Sequence, residues 1–121
     1  MRFSPAHMWM RAEGADAVIG LSDYLQDQMG EITAPELPDV GDVIRAARKI
    51  GSVESEDASS PIEAPISGEV IEVNPAALES PDLVNSDPFV AGWLIRVRMD
   101  DPSELDDLIG EEEYAELTTE V

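Results

Sequence analysis

No cysteine stands anywhere in the 121 residues, which excludes disulfide staples, thiolate metal sites and cysteine nucleophiles. Cations are nearly as scarce: seven Lys plus Arg face 27 Asp plus Glu, a formal net charge of −20. Such a field repels phosphate backbones and anionic lipid surfaces, so neither nucleic acid nor a membrane is expected as a partner. His7 is the only histidine and Lys49 the only lysine. Without cysteine or a second histidine, the usual zinc sets and hydrolytic triads cannot be assembled around His7. No apolar run approaches the roughly 18 residues that a spanning helix needs. Residues Met1 to His7 show no charged leader followed by an apolar core, from which a cytoplasmic protein is expected.

What is present supports one hydrophobic core. The chain is 43% hydrophobic and 28% charged, and no low-complexity linker interrupts it, so residues 1–121 read as a single domain. Glycine and proline recur at short intervals, leaving segments that alternate instead of following a helical period. Gly68 to Asn74 and Trp93 to Met99 carry bulky and β-branched residues at period two or nearly so, the pattern of strands with one face in a core. His7 to Arg11 and Ala17 to Leu21 read as a further pair, turning at Glu13-Gly14-Ala15-Asp16. Trp9 and Trp93 are expected to be buried. An antiparallel sandwich or flattened barrel follows.

Short helices are expected near 22–29 and 102–117. Ser22 is placed to cap the first, with Gly30 as its stop. Asp101-Pro102-Ser103-Glu104 has the acidic cap, first-turn proline and glutamate of a capping box. After Gly110, Glu111 to Leu117 reads as a last helical segment, with Leu105, Leu108 and Ile109 docking the preceding turn on the sheet. Ten of the 27 acids lie between Asp100 and Glu120.

Candidates for chemistry are few. His7, beside Trp9, is read as a packed or hydrogen-bonded structural residue. Carboxylates are too numerous for any pair to stand out, and no glycine pattern leads to a phosphate-binding lysine. No catalytic residue and no metal site are assigned, and the chain is not expected to be an enzyme. The most informative stretch is Gly51 to Val70. Val53 ends one apolar run, Glu56 to Ser60 is turn-like, and Ile62, Ala64 and Ile66 alternate, giving a β-hairpin that carries a charged tip into solvent.

Across most of its length the chain resembles the H protein of the glycine cleavage system, a small carrier whose lipoyl-lysine arm sits on such a hairpin. The matching residues are His7-x-Trp9, Gly20-Leu21-Ser22-Asp23-Tyr24, Gly30-Glu31-Ile32, Glu36-Leu37-Pro38 with Val40-Gly41-Asp42, Val53-Glu54-Ser55, and Ala64 through Asn74. They continue with Leu83 through Phe89, Gly92-Trp93-Leu94-Ile95, Pro102-Ser103-Glu104-Leu105 and Glu113-Tyr114. The resemblance implies a mainly β, lipoyl/biotinyl-domain-like sandwich, or flattened barrel, of two antiparallel sheets with short added helices.

The decisive position departs from that pattern. The family reads Glu-Ser-x-Lys-Ala and carries lipoate on the lysine as an amide; here Glu54-Ser55-Glu56-Asp57-Ala58 puts Asp57 in its place. Asp57 is therefore expected to be unmodified and the chain to carry no cofactor. The resemblance further implies that a serine and a glutamate flanking the histidine, and an aspartate four residues after the lysine, hold the cationic aminomethyl cargo; those positions are Ala6, Met8 and Pro61. Ala34 and Pro35 also weaken a strand that should be bulky and apolar, and proline there favours an edge. The expectation is a non-catalytic binding or regulatory relative that docks on protein partners, glycine cleavage or lipoylation enzymes among them. The alternative is a working H protein shuttling the aminomethyl group between glycine decarboxylase and aminomethyltransferase.

Overall fold

In the computed structural model, the residues described are 2–4, 7–22, 32–55, 59–87, 92–110, 112–114 and 116. Ten strands form two antiparallel sheets among them. β1 (Arg2–Phe3), β2 (Met8–Glu13), β3 (Asp16–Leu21), β5 (Val43–Ile44), β8 (Gly68–Val73), β9 (Ile95–Met99) and β10 (Ile109–Gly110) make a seven-stranded sheet in the order β10-β1-β2-β3-β9-β8-β5. β4 (Ile32–Glu36), β6 (Lys49–Ser55) and β7 (Ser59–Glu63) make the second, with β6 in the middle. The two-sheet β architecture is the one expected, and β4, with its proline, is indeed an edge strand.

Alternation sets both faces of the large sheet. In β2 and β3, Met8 pairs Leu21 and Met10 pairs Ile19, all buried toward the second sheet, whose Val53 and Ile62 meet them in the main core. β9 adds Ile95, Val97 and Met99 to that face and turns Arg96 and Arg98 outward. The opposite face is covered too: Phe3, Trp9, Val18 and Tyr114 form a second apolar cluster, with Phe3 and Tyr114 stacked at 3.9 Å between ring centroids. Gly14 takes φ +67° in the two-residue turn between Glu13 and Asp16, as the first position of a tight hairpin requires. Gly20 lies under the Trp9 indole, and a Cβ there would meet the ring at 2.7 Å.

Several local expectations change. His7 is not in a strand; it precedes β2 with φ +66°, a left-handed residue that ends the turn from Ser4. Trp93 is only partly buried, because β9 begins two residues later and its ring packs at the margin of the second cluster. Asn74 follows β8 and caps α1 (Pro75–Glu79), which is followed by α2 (Asp82–Ser86); neither helix is expected from the sequence, since Pro75 and Pro81 read as breakers. The segment from Pro102 is a 3-10 helix to Asp107, then β10, with helical residues again at 112–114 and 116. No capping box forms there, because the Glu104 carboxylate turns away to accept from the Ser67 N–H and Oγ, at 2.8 and 3.0 Å. Leu108 and Ile109 do pack on the sheet. The helix expected at 22–29 lies, beyond Ser22, outside the described residues.

Candidate functional site

The hairpin singled out in the sequence is formed by β6 and β7, running from Lys49 opposite Glu63 to Glu54 opposite Ser59. It forms because Val53 and Ile62 share an inward face, 0% and 1% exposed, while Glu54 and Ser59 stay in solvent. Strand pairing extends to Ser59 and Ser60, two residues closer to the tip than their turn-like composition suggests. β4 flanks β6 on its other side, Pro35 facing Val53 and Glu36 facing Ser52. Residues 56–58, Asp57 among them, join the two strands and lie outside the described residues.

The other residues assigned through the resemblance are not gathered into a polar pocket. Met8 is 1% exposed and belongs to the main core, and Pro61 is an exposed residue of β7; Ala6 lies outside the described residues. Lys49 opens β6 at the end opposite the tip. Six residues at about 3.3 Å each separate it from Ser55 by ~20 Å.

A partly buried polar chain lies at the other end of the large sheet. The Tyr114 hydroxyl is 2.7 Å from His7 Nδ1 and 2.7 Å from Ser22 Oγ. Burial holds the His7 imidazole below the ordinary histidine value of 6.5, and the tyrosine hydroxyl links the ring to Ser22 in one hydrogen-bonded chain. The His7 carbonyl also accepts from the Ser22 N–H at 3.0 Å. This chain is a clamp between the N-terminal turn and the C-terminal segment. The packed, hydrogen-bonded reading of His7 therefore stands. The partner of the Tyr114 hydroxyl, 107 residues away in sequence, has no local signal.

A half-open cleft of about 330 Å³ lies beside the base of β7, lined by Ser4, Ala46, Ala47, Glu63, Ala64, Pro65 and Leu108. Its walls are small and apolar apart from Ser4 and Glu63. Among the described residues no group of three or more His, Asp or Glu side chains is placed to hold a metal ion, and no helix is long and apolar enough to cross a membrane.

Known proteins resemble this arrangement from end to end. The sequence model of the family described as "Glycine cleavage H-protein" matches residues 1–121. The mitochondrial glycine cleavage system H protein of Flaveria pringlei is 42% identical over 120 residues, covering 99% of this chain and 74% of that protein. The glycine cleavage system H protein of Carboxydothermus hydrogenoformans is 43% identical over 120 residues, covering 99% of this chain and 92% of that one. Among solved structures, the glycine cleavage system H protein of Mycobacterium marinum superposes with a TM-score of 0.86 at 31% identity, over 95% of this chain and 93% of that chain.

Proposed function

The chain belongs to the glycine cleavage H-protein family, and on that premise we propose that it is an unlipoylated, non-catalytic member that works by binding. A lipoyl arm requires an amine at the hairpin tip, and position 57 supplies a carboxylate, which cannot condense with the carboxyl group of lipoate. The observation that carries the reading is the placement of Lys49: the only side-chain amine of the chain stands at the base of β6, ~20 Å from the end of the strand. The residues present do not fit the group. Met8 and Pro61 support the same reading, since one is buried in the core and the other has no polar side-chain atom to offer a cationic cargo.

On this reading the hairpin still presents Glu54 and neighbouring acids to a protein partner, with glycine cleavage and lipoylation enzymes as the first to test, in the cytoplasm. The second reading, a working carrier, is favoured by identity above 40% to proteins named as glycine cleavage H proteins. The two part at position 57. The protein and its Asp57→Lys variant, each co-expressed with a lipoate ligase and supplied with lipoate, are compared by intact mass. The expected result is one added lipoyl group on the variant only. A lipoylated wild type would overturn the proposal.

A further inference from the structure

We infer that the surface at the base of the hairpin, formed by Val43, Ile44, Arg45, Arg48, Lys49 and Ile50, docks an acidic peptide segment of a protein partner. These residues line an open hollow of about 490 Å³. It lies between β5, the terminal strand of the large sheet, and the start of β6. Three of the chain's seven cations fall within these few positions, in a molecule of net charge −20.

Among the described residues, Arg45, Arg48 and Lys49 form no ion pair within 4.0 Å, although Glu63 faces Lys49 across the β6–β7 ladder. Two arginines elsewhere are paired: Arg11 meets Glu13 at 2.9 Å, and Arg96 reaches Glu13, Asp16 and Glu72 at 2.9, 3.7 and 3.6 Å, while Arg2 and Arg98 stand apart from the hollow with no ion pair within 4.0 Å among the described residues. Exposed apolar surface gathers at the same place. Val43 is 64% exposed and Val40, on the turn leading into β5, is 63% exposed; Leu78 is the only other exposed large hydrophobic among the described residues.

Charge complementarity selects the occupant. Two guanidinium groups and an ammonium suit carboxylates, which arginine binds through paired N–H donors, and the valines suit apolar side chains alternating with them. The hollow is shallow and open, unlike the enclosed cavities that bury small ligands. A second copy of this chain would bring another −20, and a nucleic acid a run of phosphates, against the same field. A short acidic segment meets mainly the local cations, because charges beyond roughly 8 Å are screened at physiological salt. As a terminal strand, β5 also leaves an edge on which an extended peptide can pair.

The test titrates the full-length, isotope-labelled protein with a synthetic octapeptide of alternating glutamate and leucine, following backbone amide shifts. Shifts are expected to centre on residues 43–50. Arg45→Glu with Arg48→Glu is expected to weaken binding at least tenfold, and Val43→Ser severalfold. All three substituted side chains are exposed, so the spectra should keep their dispersion; if they do not, Arg48→Gln with Lys49→Gln gives the same comparison. A peptide of alternating lysine and leucine should not bind at this surface. Asp57→Lys should leave peptide affinity unchanged, which separates this inference from the reading of position 57. Absence of binding at millimolar peptide, shifts centred elsewhere, or equal affinity for the charge-reversed protein would each overturn it.

Discussion

His7 and Gly20 are held by contacts that no local pattern shows. Gly20 is small because the Trp9 indole lies across it, and an added Cβ would stand 2.7 Å from the ring. Gly20→Ala should therefore cost about 1–3 kcal/mol, the range for forcing a methyl group into a packed site, readable as a lower urea midpoint at unchanged slope. For His7, the sign of the pH effect follows from burial. The folded state lowers its pKa below the ordinary 6.5, so the unfolded chain takes the proton more readily. No penalty exists well above pH 6.5; it grows as pH falls through 6.5 and levels once the folded-state value is passed. His7→Asn keeps a residue tolerant of φ +66° but removes the bond to Tyr114. The variant should be less stable than wild type at pH 7.5, and the gap should narrow at pH 5.5. A gap that widens on acidification would contradict the neutral, buried histidine.

At the scale of elements, the strands and the helical segment from Pro102 were legible, whereas α1 and α2 were not. β8 and β9 follow the alternation of their side chains to within a residue or two, because each has one face in the main core and the pleat repeats every two residues, while β2 and β3 put residues into a core on both faces. α1 carries a start signal that Pro75, read as a breaker, hides. Asn74 before Pro75 is a cap followed by proline at the first helical position, the combination that starts a helix. Asn74 Oδ1 accepts from the Ala76 N–H at 3.1 Å, and its Nδ2 donates to the Trp93 carbonyl at 2.7 Å. The side chain is 5% exposed and ties α1 to the approach of β9. Asn74→Ala should lose about 1–2 kcal/mol for the cap alone, checked by thermal unfolding, and somewhat more because the Trp93 carbonyl loses its donor. Glu104 teaches the converse: it stands where a capping box would use it, yet Ser67, 37 residues away in sequence, competes for its carboxylate and wins.

For the whole molecule, a net charge of −20 on 13.1 kDa makes self-repulsion a global term. Screening by salt should relieve it, so the Tm is expected to rise by several degrees between about 10 mM and 500 mM NaCl, since the Debye length shrinks from roughly 30 Å toward a few ångströms. A falling Tm would mean that the Arg96 network with Glu13, Asp16 and Glu72 outweighs the net charge. The sequence by itself determined an antiparallel β architecture, the hairpin and the aspartate at position 57, because alternation, turn residues and side-chain chemistry are local properties of the chain. Only the tertiary structure decided the rest. It joined His7 to Tyr114 across 107 positions, left Trp93 at the margin of a core, and gathered three cations beside exposed valines at the end of a sheet. Those outcomes depend on which distant groups compete for the same hydrogen bonds, charges and apolar surface, and that competition exists only once the chain has closed on itself.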